Sequence, residues 1–415
     1  MILAKHLVPL LLGLSTIASA QPSKHVLMIG IDGAGGRYVQ RANTPHLDAL
    51  AAAGTARYDF YNEGGLVPNP PNPYGASGVN WSTILTGASA ANHGVSDNSF
   101  AGADFESHPH FFKHVKEFDP DISTVSLVNW TPINTFITPD EYANVEIGFD
   151  FGSIVDQDNE VKNQTNLFLT LSDPDVMFLH FDQVDSFGHG NSWGSPQHLA
   201  AIERVDGLIG EIVTTLNGRP GVVSGDEDWL VLITADHGAA EGAFNHTADQ
   251  GPANWEVPFI AAGPSVTPGA PMQPGTLRDL ASTALWHLGI DPFLAGLDGT
   301  VRGLTVEPPT GVVGDLNGDG VLLGDGTGPA AADDVTTFLD NWLATGSGGV
   351  ADRYARGDLN FDGRTDLSDW ALFNRLDPSM GQAVLARLQG VPEPSACLLL
   401  SIAALLALHR RREPA

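Results

Sequence analysis

Carboxylates and imidazoles recur in this chain just after short apolar runs, where they are placed for metal chemistry. Asp32 closes the run Ile29-Gly30-Ile31-Asp32-Gly33, and Asp185 and His189 bracket Asp185-Ser186-Phe187-Gly188-His189. Asp236-His237-Gly238 follows later, with His246 a short loop beyond. Oxygen and nitrogen donors of these types suit zinc, which takes them tetrahedrally and leaves room for water or substrate. Taken singly, each has a bland reading: Asp-Gly after a strand is a turn, and one buried histidine is a satisfied core residue. Three histidines beside acidic strand ends are not explained that way, because a buried carboxylate is costly unless it is paired or metal-bound. Ser77 opens Ser77-Gly78-Val79-Asn80-Trp81-Ser82-Thr83-Ile84-Leu85-Thr86-Gly87, with His93-Gly94-Val95 beyond. That run predicts a helix starting at the serine, whose dipole and free amides stabilise an alkoxide and bind a phosphoryl oxygen. The competing role for Ser77 or Ser82 is a simple helix cap.

The elements that must position these groups alternate. From His25 to Leu304, short apolar runs are interleaved with amphipathic stretches, the pattern of an α/β fold with a mostly parallel sheet and helices on both faces. The clearest predicted strands are 25–31, 175–181, 228–235 and 257–262. Ligands gather at the carboxyl ends of strands in such sheets. Chemistry is therefore expected just after each run, at Asp32, at Asp182 and Asp185, and at Asp236 with His237.

In order and spacing these residues resemble the alkaline phosphatase superfamily, and within it the type I phosphodiesterase/nucleotide pyrophosphatase branch. The resemblance runs from Val26 to Leu304. It includes Thr44-Pro45-His46-Leu47-Asp48, the Thr86-Gly87 and His93-Gly94 pairs, and Pro258-Phe259-Ile260-Ala261-Ala262-Gly263-Pro264. It implies that Asp185, His189 and His246 hold one metal, and that Asp32, Asp236 and His237 hold another against Ser77, the nucleophile. Asn80 matches the family's asparagine that donates to a phosphoryl oxygen. The implied reaction is in-line attack by Ser77 on phosphorus, assisted by two divalent metals, then hydrolysis of a phospho-serine. Imidazole ligands favour zinc, with manganese, iron or calcium as alternatives. Gly78-Val79 departs from the usual hydrophobic-proline pair. A sulfatase would carry x-Pro-x-Arg after its nucleophile, and this chain lacks both the proline and the arginine.

Beyond a Pro/Gly/Thr-rich linker at 306–313 the chain repeats itself. Gly314-Asp315-Leu316-Asn317-Gly318-Asp319-Gly320 returns as Gly357-Asp358-Leu359-Asn360-Phe361-Asp362-Gly363, and each copy leads into a helical pattern with an aromatic stripe. Asp and Asn at alternate positions before a glycine match the first half of a calcium loop. The repeat resembles the dockerin type I module. It implies calcium ligands Asp358, Asn360, Asp362, Asp366 and Asp369 in the second copy, and Asp315, Asn317, Asp319 and Asp334 in the first, which contains an insertion within Leu323 to Ala332. A small helical calcium-loop domain is expected over 314–390, binding either a cohesin-like or matrix partner or only its own calcium.

The ends and the charge complete the expectation. Lys5, an apolar run from Leu7 to Ala18 and Ala18-Ser19-Ala20 form a secretory signal peptide over 1–20. Over 391–415, Val391-Pro392-Glu393-Pro394, an apolar stretch and Arg410, Arg411 and Arg412 resemble the PEP-CTERM sorting tag, read by sorting or anchoring machinery. The expected location is the surface, outer membrane or extracellular matrix of a bacterium. Cys397 is the only cysteine, so no internal disulfide forms. With 49 acidic against 20 basic residues the net charge is -29, which excludes nucleic-acid binding through a basic surface. The whole reads as an exported hydrolase of small phosphate esters, catalytic over 24–305, with phosphodiesters expected as substrates. The alternatives are a phosphomonoesterase, a phosphomutase, or a non-catalytic calcium-binding surface or matrix protein.

Overall fold

The computed structural model describes residues 22–304 and 314–388, apart from residues 68–69, 139–140, 267, 270–271, 273, 291, 293–294, 346–352 and 360–362. The signal peptide, the linker and the sorting tail expected from the sequence lie outside the described residues. Among the described residues, no helix is long and apolar enough to cross a membrane.

Seven strands form one sheet: β1 (Ser23–Ile31), β2 (Thr55–Tyr61), β3 (Thr124–Val128), β4 (Val145–Gly148), β5 (Val176–Phe181), β6 (Glu227–Thr234) and β7 (Glu256–Ala262). Their order is β2-β7-β6-β1-β5-β3-β4. Strands β6, β1, β5, β3 and β4 are mutually parallel, while β7 runs antiparallel to both β6 and β2. The central strands are apolar almost without interruption because helices cover both faces of the sheet. Val26 to Ile29 in β1 and Val176 to Leu179 in β5 have no solvent exposure.

The helices begin where local chemistry starts them. Ser153 and Asp156 form a reciprocal capping box at the head of Ile154–Leu171. Ser195 accepts from the His198 amide and Pro196 occupies the first turn of Pro196–Asn217. The helix Ser77–Thr86 is buried at all ten positions and ends on Gly87 in the left-handed conformation.

Register carries the site. In β1, Ile31 pairs with Phe181 of β5 and Gly30 pairs with Thr234 of β6. Two parallel neighbours therefore bring Asp32, Asp182 and Asp236 to the same edge of the sheet. The sequence reading also sought chemistry after 257–262, and there the structure corrects it. Because β7 is reversed, Gly263 ends at the opposite edge, where a Cβ on it would meet the Trp229 carbonyl oxygen at 2.2 Å.

A second, separate core lies in the repeat region, built on Leu316, Val335, Phe338, Tyr354, Phe373, Met380 and Val384. Its helices are Asp334–Asp340, Leu367–Leu376 and Pro378–Leu388. The two aromatic stripes meet here, Phe338 stacking on Phe373 with ring centroids 5.2 Å apart.

Candidate metal centre

The residues singled out by the sequence converge at the carboxyl edge of β5, β1 and β6. Ser77 is 6% exposed at the first turn of its helix, and its Oγ lies 3.2 Å from His237 Nε2. The N-cap is Ala76, without a side-chain bond, so Ser77 does not cap the helix. Ser82 does not cap it either, since its Oγ donates back to the Gly78 carbonyl. His237 Nε2 also lies 3.4 Å from Asp32 Oδ1, 3.4 Å from Asp236 Oδ2 and 3.8 Å from Asp185 Oδ1. On the outer side, Asp185 Oδ2 is 3.5 Å from His189 Nε2, and Asp185 Oδ1 is 3.8 Å from His246 Nε2. Two overlapping groups result, Asp185/His189/His246 and Asp32/Asp185/His237, with Asp236 beside the second.

The donor set fits divalent cations on two independent grounds. The first is tautomeric. His189 Nδ1 faces the Phe244 carbonyl at 2.7 Å, His246 Nδ1 the Gly75 carbonyl at 2.9 Å, and His237 Nδ1 the Gly238 carbonyl at 3.2 Å. A carbonyl only accepts, so each Nδ1 carries the proton and each Nε2 presents a bare lone pair, as metal-binding imidazoles require. The second is a set of orphaned oxygens. Asp32 Oδ1, Asp185 Oδ1 and Asp236 Oδ2 are buried without a hydrogen-bond partner, a cost that a bound cation removes.

Electrostatics agree. Burial and the neighbouring Asp32 push the Asp185 and Asp236 carboxyls well above the usual range, and push Asp182 up to about 7. Burial alone would raise Asp32 too, but the hydrogen bond from His180, the His237 ring and the Trp81 indole hold it below the ordinary value. Burial, reinforced for His237 by His246, keeps both of these imidazoles neutral. A cage of carboxylates that cannot all ionise together is completed by positive charge.

One expected role is not where the sequence put it. Asn80 is fully buried and turned away from the nucleophile: its Nδ2 donates to the Tyr74 and Ala76 carbonyls, and its Oδ1 accepts from the Glu63 amide. It therefore braces the loop leading into Ser77. The asparagine that reaches the first turn of this helix from elsewhere in the chain is Asn98, exposed, whose Oδ1 accepts the Gly78 N–H at 2.7 Å. Its signal lay three residues past His93-Gly94-Val95, in a stretch whose polarity reads equally as a turn. His93 itself points inward, its ring bonding the Thr83 hydroxyl at 3.0 Å.

In the repeat region the first-copy residues share one turn. Asp315 accepts the amides of Gly318, Asp319 and Gly320, and Asn317 accepts that of Asp319. Asp334 Oδ1 accepts the Leu316 amide at 2.8 Å, and Asp369 Oδ1 accepts the equivalent Leu359 amide at 2.7 Å. The insertion before Asp334 is gathered by Asp333, which accepts from Asp325, Gly326 and Gly328. In the second copy, Asp358 accepts the Gly363 amide and Asp366 is the N-cap of Leu367–Leu376. Asn360 and Asp362 lie outside the described residues.

The sequence model of the type I phosphodiesterase / nucleotide pyrophosphatase family matches residues 26–252. A phosphopentomutase of Methylorubrum extorquens is 31% identical over 131 residues, covering 31% of this chain and 28% of that protein. An uncharacterized pyrophosphatase/phosphodiesterase of Schizosaccharomyces pombe is 27% identical over 237 residues, covering 53% of this chain and 46% of its own length. The matches thus span less than half of either relative. A structure from a Bacteroides thetaiotaomicron locus for glycosaminoglycan metabolism shares the fold, with a TM-score of 0.51 and 10% identity over 67% of this chain and 75% of that one.

Proposed function

The chain belongs to the type I phosphodiesterase / nucleotide pyrophosphatase family, and on that premise we propose that it is a metal-dependent phosphoric ester hydrolase acting on phosphodiesters, with Ser77 as nucleophile. The observation that carries the reading is the meeting of Ser77 Oγ, three bare imidazole Nε2 atoms and three unpartnered carboxylate oxygens at one sheet edge. Asp185, His189 and His246 would hold one divalent cation, and Asp32, Asp236 and His237 the other. Zinc is the ion the donor set favours. Bound there, such cations supply Lewis-acid neutralisation of charge on the attacking and leaving oxygens.

The chain's own residues do the rest. Ser77 Oγ forms a bond to phosphorus as the ester oxygen departs, leaving a phospho-serine that water then hydrolyses. Apart from the Gly78 amide, which Asn98 takes, the first-turn amides of its helix and the positive end of its dipole would meet the phosphoryl oxygens that gain charge. Asn98, its carbonyl oxygen held by the Gly78 amide, would take with its NH2 group the donor role expected of Asn80. The exported location, the signal peptide, the calcium-loop repeat and the sorting tail belong to this reading as well.

Mutase relatives suggest a second outcome, transfer of the phosphoryl group within one molecule rather than to water. A signal peptide argues against it, since export would separate the enzyme from phosphorylated cytoplasmic intermediates. The test is turnover of bis-p-nitrophenyl phosphate against p-nitrophenyl phosphate by the full-length protein, chelator-stripped and then restored with zinc. Zinc-dependent preference for the diester, abolished in Ser77→Ala, is expected. Preference for the monoester would move the reading to phosphatase, and unchanged turnover in Ser77→Ala would remove the nucleophile.

A further inference from the structure

The two oxygens of Asp32 have opposite surroundings. Oδ1 is buried, unpartnered and 3.4 Å from His237 Nε2. Oδ2 receives two donors, Trp81 Nε1 at 3.0 Å and His180 Nε2 at 3.2 Å. The donor character of His180 follows from its other nitrogen, which accepts the Trp130 amide at 3.3 Å and so cannot carry the proton. His180 is therefore the reverse tautomer of His189, His237 and His246. Asp32, His180 and Asp182 lie close enough together to look like another cation site, but a protonated Nε2 has no lone pair to give a metal.

Both donors are themselves fixed. Trp81 and His180 meet edge to face with ring centroids 4.8 Å apart, and neither has any solvent exposure. The indole lies over Gly30 of β1, where a Cβ would come within 2.3 Å of Trp81 Cη2. The glycine two residues before Asp32 thus makes room for the side chain that holds Asp32. A carboxylate gripped through one oxygen cannot rotate or bind in bidentate fashion, and it presents a single lone-pair direction.

We propose that His180 and Trp81 are positioning residues that clamp Asp32 Oδ2, leaving Oδ1 alone to meet the cation shared with Asp236 and His237. Partners of this kind orient metal ligands, and their loss weakens metal binding about 10- to 100-fold. The inference rests on the proposed two-cation reading.

The experiment measures zinc dissociation constants by chelator competition on the full-length protein, comparing Trp81→Phe, His180→Leu and His180→Gln with wild type. Trp81→Phe and His180→Leu are expected to weaken one of the two ions about 10- to 100-fold and leave the other within about twofold. His180→Gln, whose amide reaches the Nε2 position with a donor, is expected to recover most of the loss. In an Asp32→Ala background the same substitutions should change neither affinity further, since they act through Asp32. Equal weakening of both ions, no weakening, or an effect that persists without Asp32 would each overturn the clamp. So would His180→Gln matching His180→Leu, because ring packing rather than the donor would then be responsible. Wild-type protein that binds no zinc overturns the two-cation reading along with it, whereas two ions bound alike by wild type and variants overturn the clamp only.

Discussion

Asp185 is the residue on which the two halves of the centre meet. Its Oδ1 is equidistant, at 3.8 Å, from His237 Nε2 and His246 Nε2, while Oδ2 faces His189 Nε2. Family resemblance gives Asp185 to one cation, yet it takes part in both groups of donors. Its removal is therefore expected to cost more than the loss of a ligand at the rim. His189, 43% exposed in its side chain, is such a rim ligand. Metal analysis of protein freed of excess zinc by gel filtration should show Asp185→Ala losing both ions and His189→Ala losing one. An Asp185→Ala protein that keeps the ion at Asp32, Asp236 and His237 would confine Asp185 to the outer group. At this scale the sequence was legible wherever a residue type states its own chemistry. It was not legible for Asn80, because an asparagine is donor and acceptor alike and only its partners decide which way it faces.

At the scale of elements, the helix starts show how local chemistry and burial trade against each other. Phe111–Phe118 is capped by His110, whose Nδ1 accepts the Phe112 amide at 3.0 Å. The ring is wholly buried, and burial pulls its pKa down from 6.5 to about 3, with His114 adding to the effect. Between those values the unfolded chain binds a proton that the folded chain excludes. The contribution of His110 is complete above pH 6.5 and is lost as the pH falls towards 3, at about 1.4 kcal/mol per pH unit. His110→Asn keeps a favoured cap acceptor without a titrating ring. Its unfolding free energy should fall less steeply with acid than wild type, the two curves converging by about 2 kcal/mol between pH 6.5 and pH 5. Parallel curves in denaturant titrations would show that the ring is protonated in the fold. Four of the seven strands, β1, β5, β6 and β7, were readable at this scale from apolar runs, within a residue or two at each end, whereas β2, β3 and β4 were not. The direction of β7 was not, because a strand's burial pattern is the same whichever way it runs.

Across the whole molecule, two cores divide the labour. The larger surrounds the sheet and supports the candidate centre, and the smaller holds the repeat region, with Trp286 of the helix Asp279–His287 packed against it. The net charge of -29 suits a protein that meets hard cations. If the repeat takes calcium, removing that calcium should cost the smaller core alone. A ligand at a hundred times its dissociation constant contributes about 2.7 kcal/mol. Calorimetry of the full chain is expected to show a transition that a calcium chelator lowers while zinc-restored diesterase activity is unchanged. A chelator that moves no transition would leave the repeat as an Asn/Asp-rich fold held by its own backbone bonds.

The sequence by itself determined the α/β class, the placement of Asp32, Asp185, Asp236 and His237 after apolar strands, and the repeat with its paired aromatic stripes. These are local properties, set by the period of burial along a strand or helix and by residue types at fixed spacing. Only the tertiary structure decided which nitrogen each imidazole presents, which oxygen of Asp32 is free, and that Asn80 donates to the Tyr74 and Ala76 carbonyls while Asn98 holds the Gly78 amide. Those depend on partners far apart in the chain: Ser77 and His237 are separated by 160 positions, and Asp32 and His180 by 148. A residue's type states what it can donate or accept, but the direction in which it does so is set by the neighbour that folding brings to it.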